Sequence, residues 1–240
     1  MIKLLFFSTY YQLLTSFRVK QSVFFTIIFP SFLFIVFSSI WGISDEDYCK
    51  FLLTGICAMT IASEGIFAIS TTISQYYKSG LIRFLKTIPI SIFIYILSLI
   101  FARMLVLLTS FCILYLCAYF IFGVHLSLPE ILHILLGALL GLVFFSFLGL
   151  LINLANRKDG ENKGLSNIIY FSLIFFNDLF YPLTSINPSF KFVIQFSPMT
   201  PIIHLVRGDY SMFTYLLLWI TIVIVAYSLV LRVRQIKRTE

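Results

Sequence analysis

Few side chains in this sequence could carry charge chemistry, because 11% of its 240 residues are charged and 60% belong to the hydrophobic set. Glu64 lies about halfway along a long apolar run, where an ionisable group is costly and invites a functional interpretation. It could face a polar transport cavity, pair with a cationic substrate or relay protons. A protonated or hydrogen-bonded carboxyl at a helix contact explains the same position, so both interpretations stay open.

Three further polar residues lie in or beside apolar runs. Arg103 lies near one end of its run, and we expect its long side chain to snorkel to the membrane interface. Asn177 and Asp178 lie at the end of another run, close to Pro182. They could line an exit gate, but a cap or turn role is the favoured interpretation, because Asn and Asp readily bind nearby backbone groups.

Motifs for catalysis and metal binding are missing from the sequence. It has no His-Glu-x-x-His and no Gly-x-Ser-x-Gly, the patterns that combine a base, a nucleophile or a metal. His125, His133 and His204 lack the spacing of metal ligands. No Gly-x-x-x-x-Gly-Lys-Ser/Thr phosphate loop occurs, so any ATP that this protein uses must bind another chain. We predict no catalytic residue, no metal site and no cofactor here.

The elements that hold these residues are membrane spans. The mean hydropathy is +1.01, and a soluble domain has only about 45–50% apolar residues. One helical crossing takes roughly 20 residues. We therefore predict an all-α integral membrane protein with one domain, 1–240, and six transmembrane helices. The predicted spans are Ser22–Ile43, Phe51–Ser74, Ile90–Phe122, Ile131–Ala155, Leu165–Tyr181 and Met212–Leu231.

The basic residues predict the orientation, because Lys and Arg are retained on the cytoplasmic side. Thirteen of the 17 Lys and Arg residues fall in the segments that a six-span chain with an inside N-terminus leaves in the cytoplasm. Both termini are therefore expected to be cytoplasmic. The net charge of +7 suits an anionic inner leaflet, and it requires no nucleic acid.

Two cytoplasmic segments are predicted to be amphipathic helices. In the first, an apolar stripe recurs at helical spacing and Thr9, Gln12 and Ser16 fall on another face, which indicates an interfacial helix along the membrane surface. The stripe consists of Phe7, Tyr10, Leu14 and Phe17. The second segment, Gln75–Ile88, has an apolar stripe among basic residues and is suited to docking on a cytoplasmic partner.

Prolines break the apolar segment between the fifth and sixth predicted spans. Irregular backbone is tolerated at membrane depth only where protein covers it. The segment is therefore predicted to form an external re-entrant or interfacial hairpin before the last span. Its prolines are Pro182, Pro188, Pro198 and Pro201.

Two stretches make the chain resemble the membrane subunits of ABC exporters, specifically the ABC type-2 permease family. The first is the segment Tyr76–Ser91, which resembles the family's charged residues, glycine, Leu-rich turn and Thr-x-Pro-x-Ser before the third span. The second is Phe176–Pro188 with Phe196–Pro201 and Arg207, which is similar to the family's Tyr-Pro-Leu-Ser/Thr and Pro-Leu-Thr…Arg pattern around the external hairpin.

The resemblance implies a transport subunit that is not itself an enzyme. It implies a second permease subunit, identical or related, and a separate ABC ATPase that binds ATP and Mg²⁺. It implies a plasma (inner) membrane location, and the compact permease suggests a bacterium. The implied ATPase-coupling helix contains Tyr77, Lys78, Gly80, Leu81, Arg83, Phe84, Lys86 and Pro89. The implied external hairpin contains Tyr181, Pro182, Pro188, Pro198 and Arg207.

The expected function is export of a hydrophobic or amphipathic cargo, such as a drug, lipid or peptide. The candidate cavity or gate residues are Glu64, Asn177 and Asp178. Two alternatives stay open. A membrane-embedded lipid-modifying enzyme would use Glu64, Asp178 and Arg103 as a dispersed polar centre. A scaffold or immunity-type membrane protein would bind a partner and move nothing.

Overall fold

Every regular element in the described part of the chain is a helix, as the all-α prediction requires. The computed structural model of the protein describes residues 2–42, 45–81, 92–155, 161–183 and 189–239. In chain order the elements are α1 (Ile2–Arg18), α2 (Lys20–Val23), π1 (Phe24–Ile28), α3 (Phe29–Trp41), α4 (Glu46–Ser63), π2 (Glu64–Ile69), α5 (Ser70–Lys78), α6 (Ile92–Phe122), α7 (Leu128–Ala155), α8 (Glu161–Phe175), α9 (Phe190–Phe196), α10 (Thr200–Val206) and α11 (Phe213–Thr239).

Five helical stretches of the described residues are long and apolar enough to cross a bilayer. They are the first span (Phe24–Trp41), the second span (Glu46–Tyr76), the third span (Ile94–Phe122), the fourth span (Leu128–Asn153) and the last span (Phe213–Val230). The prediction of a multi-pass membrane protein is therefore confirmed. Following the predicted orientation, the side of the protein that carries Glu46 is called the outer side.

The remaining predicted crossing, Leu165–Tyr181, has a different structure. Its helix α8 ends at Phe175 and has 15 residues, which at 1.5 Å per residue is about 22 Å long. A bilayer core is about 30 Å thick, so α8 alone is too short to span it. Turns and the short helices α9 and α10 follow before the last span. The six-span count and the re-entrant hairpin stay predictions.

The second span is the central helix of the bundle. Its most apolar window is 83% buried, whereas that of the last span is 11% buried. Small residues allow the fourth span to approach it closely: a Cβ on Gly149 would lie 2.6 Å from Ser70 Oγ, and one on Gly65 would collide with Phe145. Such close helix contacts stabilise membrane bundles through van der Waals packing.

Helix α1 packs against the third span with its polar face. Thr9, Gln12 and Ser16 are buried, and Gln12 Nε2 donates to Ser98 Oγ over 2.8 Å. The predicted apolar stripe faces away from the bundle, with Phe7 63% exposed. An outward aromatic face with an inward polar face suits a helix that contacts lipid on one side and protein on the other. Its location at the membrane surface stays a prediction.

Candidate functional site

Glu64 is buried inside the helix bundle, with 2% of its surface exposed. Its carboxylate contacts side chains from two other spans. Arg103 of the third span has Nη1 3.4 Å from Glu64 Oε2, and Thr26 of the first span donates its hydroxyl hydrogen to Oε1. One carboxylate therefore connects three spans. We call Thr26, Glu64 and Arg103 the membrane cluster.

The backbone at the membrane cluster departs from α-helical geometry in two spans. Thr26 lies within π1, and Glu64 is the first residue of π2. Ser110 of the third span donates to the Thr26 carbonyl over 2.5 Å, which adds a second contact between the first and third spans. π-helical turns are rare and frequently lie at functional sites. The sequence did not predict them, because such a turn inserts only one extra residue into a uniformly apolar stripe.

The structure corrects the snorkelling predicted for Arg103. The guanidinium is directed at Glu64, and 11% of the side chain is exposed. Arg103 Nε is buried without a hydrogen-bond partner among the described residues. Two opposite charges that are buried together attract each other strongly, since little water screens them, and each charge reduces the desolvation cost of the other.

The membrane cluster neutralises its own charges. A carboxylate that already binds an arginine and a threonine has little remaining capacity for a cationic substrate. The contacts of Glu64 instead hold three spans in one relative position. These contacts would break if the spans moved relative to one another. Glu64 as a residue that lines a transport cavity stays a prediction.

A second polar site lies at the outer end of α8, where Asn177 connects three segments. Its side chain is 3% exposed. Asn177 Nδ2 donates to the Leu173 carbonyl and to Ser197 Oγ, both over 2.7 Å. Thr200 Oγ1 donates to Asn177 Oδ1, also over 2.7 Å. One amide therefore joins the end of α8, the turn that precedes α10 and the first residue of α10.

The neighbouring residue Asp178 organises the next turn. Its Oδ1 accepts a hydrogen bond from the Leu183 amide over 2.8 Å. Asn177 and Asp178 therefore both act inside turns in this structure, as Asn and Asp commonly do. A gate role for either residue stays a prediction.

Arg207, just after α10, contacts the second span and the end of α8 together. Arg207 Nη2 donates to the Asp178 carbonyl over 2.6 Å and to the Phe51 carbonyl over 3.4 Å. Its Nε donates to Thr54 Oγ1 over 3.3 Å. The guanidinium carbon also lies 3.8 Å from the centre of the Phe51 ring, a cation–π contact. We call Arg207, Phe51, Thr54 and the Asp178 carbonyl the outer clamp.

The residues after Asp178 make two further contacts with the second span. Tyr48 donates its hydroxyl hydrogen to the Phe180 carbonyl over 2.9 Å. Gly55 leaves room for the Leu179 carbonyl, which a Cβ at that position would overlap. Carbonyls in an irregular segment need such partners, because an unsatisfied carbonyl is costly where water is absent.

Burial affects the charge of Arg207 only slightly. The desolvation of its guanidinium lowers the pKa of Arg207 to about 10. The side chain therefore stays protonated at neutral pH and keeps all its hydrogen-bond donors. Asp178 is the nearby acidic residue that opposes this shift, although its carboxylate is bound to Leu183.

The predicted coupling helix is described only in part. Tyr77 and Lys78 lie in the last turn of α5. Gly80 follows with φ of +75°, a left-handed conformation that favours glycine and ends helices. Leu81 is the last described residue of this region. Arg83, Phe84, Lys86 and Pro89 lie outside the described residues.

The predicted external hairpin is likewise described at its two ends. Tyr181 is 46% exposed, and Pro182 follows it in the turn that Asp178 caps. Pro198 lies in the turn between α9 and α10. Pro188 lies outside the described residues. Among the described residues, no three His, Cys, Asp or Glu side chains lie close enough together to hold a metal ion.

Comparison with known proteins gives a family match over most of the chain. The model of the family described as ABC-2 type transporter matches residues 3–210. This range contains the membrane cluster, the partly described segment around Gly80 and the outer clamp. No curated protein matches the sequence.

Proposed function

This chain belongs to the ABC-2 type transporter family, and we propose that it is the membrane subunit of an ATP-driven exporter with a separate ATPase subunit. The observation that carries the proposal is the family match over residues 3–210. The multi-pass helical bundle supports it. Two such subunits, identical or related, would enclose the translocation pathway in a bacterial plasma membrane, with both termini in the cytoplasm.

We infer that α8 and the irregular segment after it form the fifth of six crossings. Helix α8 covers about 22 Å with its 15 residues. The carbonyls after it bind Tyr48 and Arg207, as expected of irregular backbone that protein shields from lipid. This supports a fifth crossing completed by a re-entrant hairpin.

The cargo is proposed to be hydrophobic or amphipathic. The spans contain many of the 28 Phe and 13 Tyr residues of the chain, and aromatic side chains present large apolar surfaces. In the membrane cluster, the Glu64 carboxylate is already bound by Arg103. The described residues therefore favour a drug, lipid or hydrophobic peptide over a strongly cationic molecule.

In the proposed cycle, the second span transmits movement from the cytoplasmic side to the outer side of the protein. Hydrolysis of ATP with Mg²⁺ on the partner subunit supplies the energy. The segment Gln75–Ile88 receives the movement of the ATPase, and Gly80 gives this segment its turn. The second span then tilts relative to the first and third spans, which changes the geometry of the membrane cluster. A cargo affects this equilibrium only if it binds the two states with different affinity.

The proposal is tested by what the protein binds in its own membrane. Tagged chain is extracted in mild detergent and copurifying proteins are identified by mass spectrometry. We expect an ATPase with a phosphate-binding loop. Gly80→Val, which places a β-branched residue at a left-handed position, and Phe84→Glu should reduce its recovery strongly. Lys191→Ala, which removes an exposed charge on α9, should not.

The alternative functions predict the opposite result. A chain that purifies intact and alone, with no ATPase in any preparation, would contradict the transporter subunit. The enzyme alternative is weakened, because it places Asp178 in one polar centre with Glu64. Asp178 instead lies beside Phe51 at the outer clamp. Phe51 and Glu64 are 13 residues apart in one continuous helical span, about 20 Å along its axis.

A further inference from the structure

The outer clamp binds both ends of a long segment of chain to one short part of the second span. Asp178 begins the segment that follows α8, and Arg207 ends it, 29 positions later in the sequence. Arg207 binds the Asp178 carbonyl and, in the same place, Phe51 and Thr54 of the second span. Both ends of the outer segment, residues 178–207, are thus fixed to a single turn of that helix.

We propose that Arg207 is a positioning residue that makes the outer segment follow the movement of the second span. The inference rests on the proposed transport function and adds a residue and a route to it. It requires the second span to transmit motion as a rigid element. This helix runs without interruption from Glu46 through π2 to Lys78, so it joins the outer clamp to the segment around Gly80.

The chemistry of Arg207 fits positioning better than charge pairing. Among the described residues its nitrogens bind two carbonyls and one hydroxyl, and no carboxylate lies within ion-pair distance. The planar guanidinium also stacks on the Phe51 ring at 3.8 Å. Lysine carries a compact charge that cannot stack on a ring and bind separate acceptors in fixed directions at the same time. The geometry therefore favours arginine over lysine.

Other contacts to the outer segment are less suited to this role. Tyr48 binds the Phe180 carbonyl, and Gly55 accommodates Leu179. Both act at the beginning of the segment. Asn177 joins α8 to Ser197 and Thr200, but these contacts do not include the second span. Helix α10 also packs against the second span, but among the described residues Arg207 is the one that also binds the beginning of the segment.

The experiment compares how nucleotide changes the outer segment and the end of the second span near Gly80. The purified permease–ATPase complex is placed in nanodiscs of phosphatidylethanolamine and phosphatidylglycerol, with the four native cysteines replaced. Single reporters are introduced by Phe192→Cys in α9 and by Ser79→Cys near Gly80, both at exposed positions. Maleimide labelling rates are measured without nucleotide and with ATP plus vanadate.

In the protein with native Arg207, we expect nucleotide to change the labelling rate at both reporters. With Arg207→Ala, the change at Ser79→Cys should remain, while the change at Phe192→Cys should fall by about fivefold or more, the lower end of typical coupling between sites. Arg207→Lys should give an intermediate fall. Lys191→Ala, which removes a positive charge from the same side, should behave like the parent.

Several results would overturn the proposal in different ways. An unchanged outer response in Arg207→Ala contradicts it directly. Equal loss at both reporters indicates a general structural defect instead of positioning. Absence of any nucleotide response in the parent, at either reporter, contradicts the proposed function itself. If Arg207→Ala does not yield a stable complex, Phe51→Leu provides the test, because it removes only the aromatic contact and should lower the outer response alone.

Discussion

The membrane cluster and the outer clamp both depend on one arginine, but they use its charge differently. Arg103 faces the carboxylate of Glu64 at 3.4 Å inside the bundle. Arg207 binds carbonyls, a hydroxyl and a ring at the outer end of the second span. Removal of Arg103 leaves an opposite charge buried alone, whereas removal of Arg207 leaves only neutral acceptors. The cost of losing either arginine should therefore depend on its partners more than on its burial.

The largest effect is expected from breaking the membrane cluster. Arg103→Ala should lower the unfolding free energy by about 3–5 kcal/mol, because it strands the Glu64 charge in a low-dielectric interior. Glu64→Ala should have a similar effect, since it strands Arg103. The measurement is thermal unfolding of the detergent-solubilised protein, monitored by circular dichroism.

A double variant separates the stranded charge from lost packing. Glu64→Leu with Arg103→Met replaces the ion pair with apolar groups of similar volume, which is often neutral for stability. We expect its thermal midpoint to lie close to that of the parent protein. A double variant as unstable as the single ones would show that the charge pair is not the cause.

The membrane cluster also shows what could be predicted from the sequence. Glu64 was identified from its type and its depth in an apolar run, because a buried carboxylate is uncommon there. Its partner was not, since Arg103 follows 39 positions later and no periodicity relates the two residues. Thr26 and Ser110 gave no signal at all, because hydroxyl groups in membrane helices usually bind their own backbone.

Substitution of Arg207 in the outer clamp should lower the unfolding free energy less than substitution in the membrane cluster. Arg207→Ala removes charge-assisted hydrogen bonds and the cation–π contact, and we expect a loss of about 2–3 kcal/mol. The loss should be smaller than for Arg103→Ala, because no opposite charge remains buried. Thermal unfolding of the two variants in the same detergent gives the comparison. A greater loss for Arg207→Ala than for Arg103→Ala would show that the charge of the partner does not determine how much stability is lost.

In the outer segment, the local turns could be predicted from the sequence, but the end of α8 and the long-range contacts could not. Its prolines indicated irregular backbone, and Asn177 and Asp178 indicated turns, which the observed hydrogen bonds follow. The length of α8 was overestimated, because the apolar run continues past Phe175 although the helix does not. Hydropathy records burial and not helical continuity, and the carbonyl partners on the second span were beyond any local pattern.

A smaller effect is expected from the aromatic part of the outer clamp alone. Phe51→Leu keeps the Phe51 carbonyl and its hydrogen bond to Arg207, but it removes the ring 3.8 Å from the guanidinium. The cation–π contact contributes about 1 kcal/mol, so the thermal midpoint should fall slightly. A parallel Phe51→Leu substitution in the Arg207→Ala background should then have little further effect. Additive losses in that double variant would mean that ring and guanidinium act independently.

The smallest effect is expected from an exposed pair beside the outer clamp. Asp209 Oδ1 accepts from the Ser211 amide over 2.8 Å, and His204 Nδ1 lies 2.7 Å from Oδ2. The Ser211 amide first, and His204 second, lower the pKa of Asp209 to about 2. Ionised Asp209 therefore stabilises the fold above its ordinary pKa near 4, and this contribution disappears as the pH falls from about 4 to about 2.

Exposure limits the size of that contribution. Both side chains of the pair are substantially exposed, and water screens exposed pairs so that they contribute less than about 1 kcal/mol. Asp209→Asn should lower the thermal midpoint slightly at pH 6, and the difference from the parent should vanish near pH 2. A loss at pH 6 as large as that of Arg207→Ala would contradict this prediction, because an exposed carboxylate would then contribute as much stability as the partly buried guanidinium of the outer clamp.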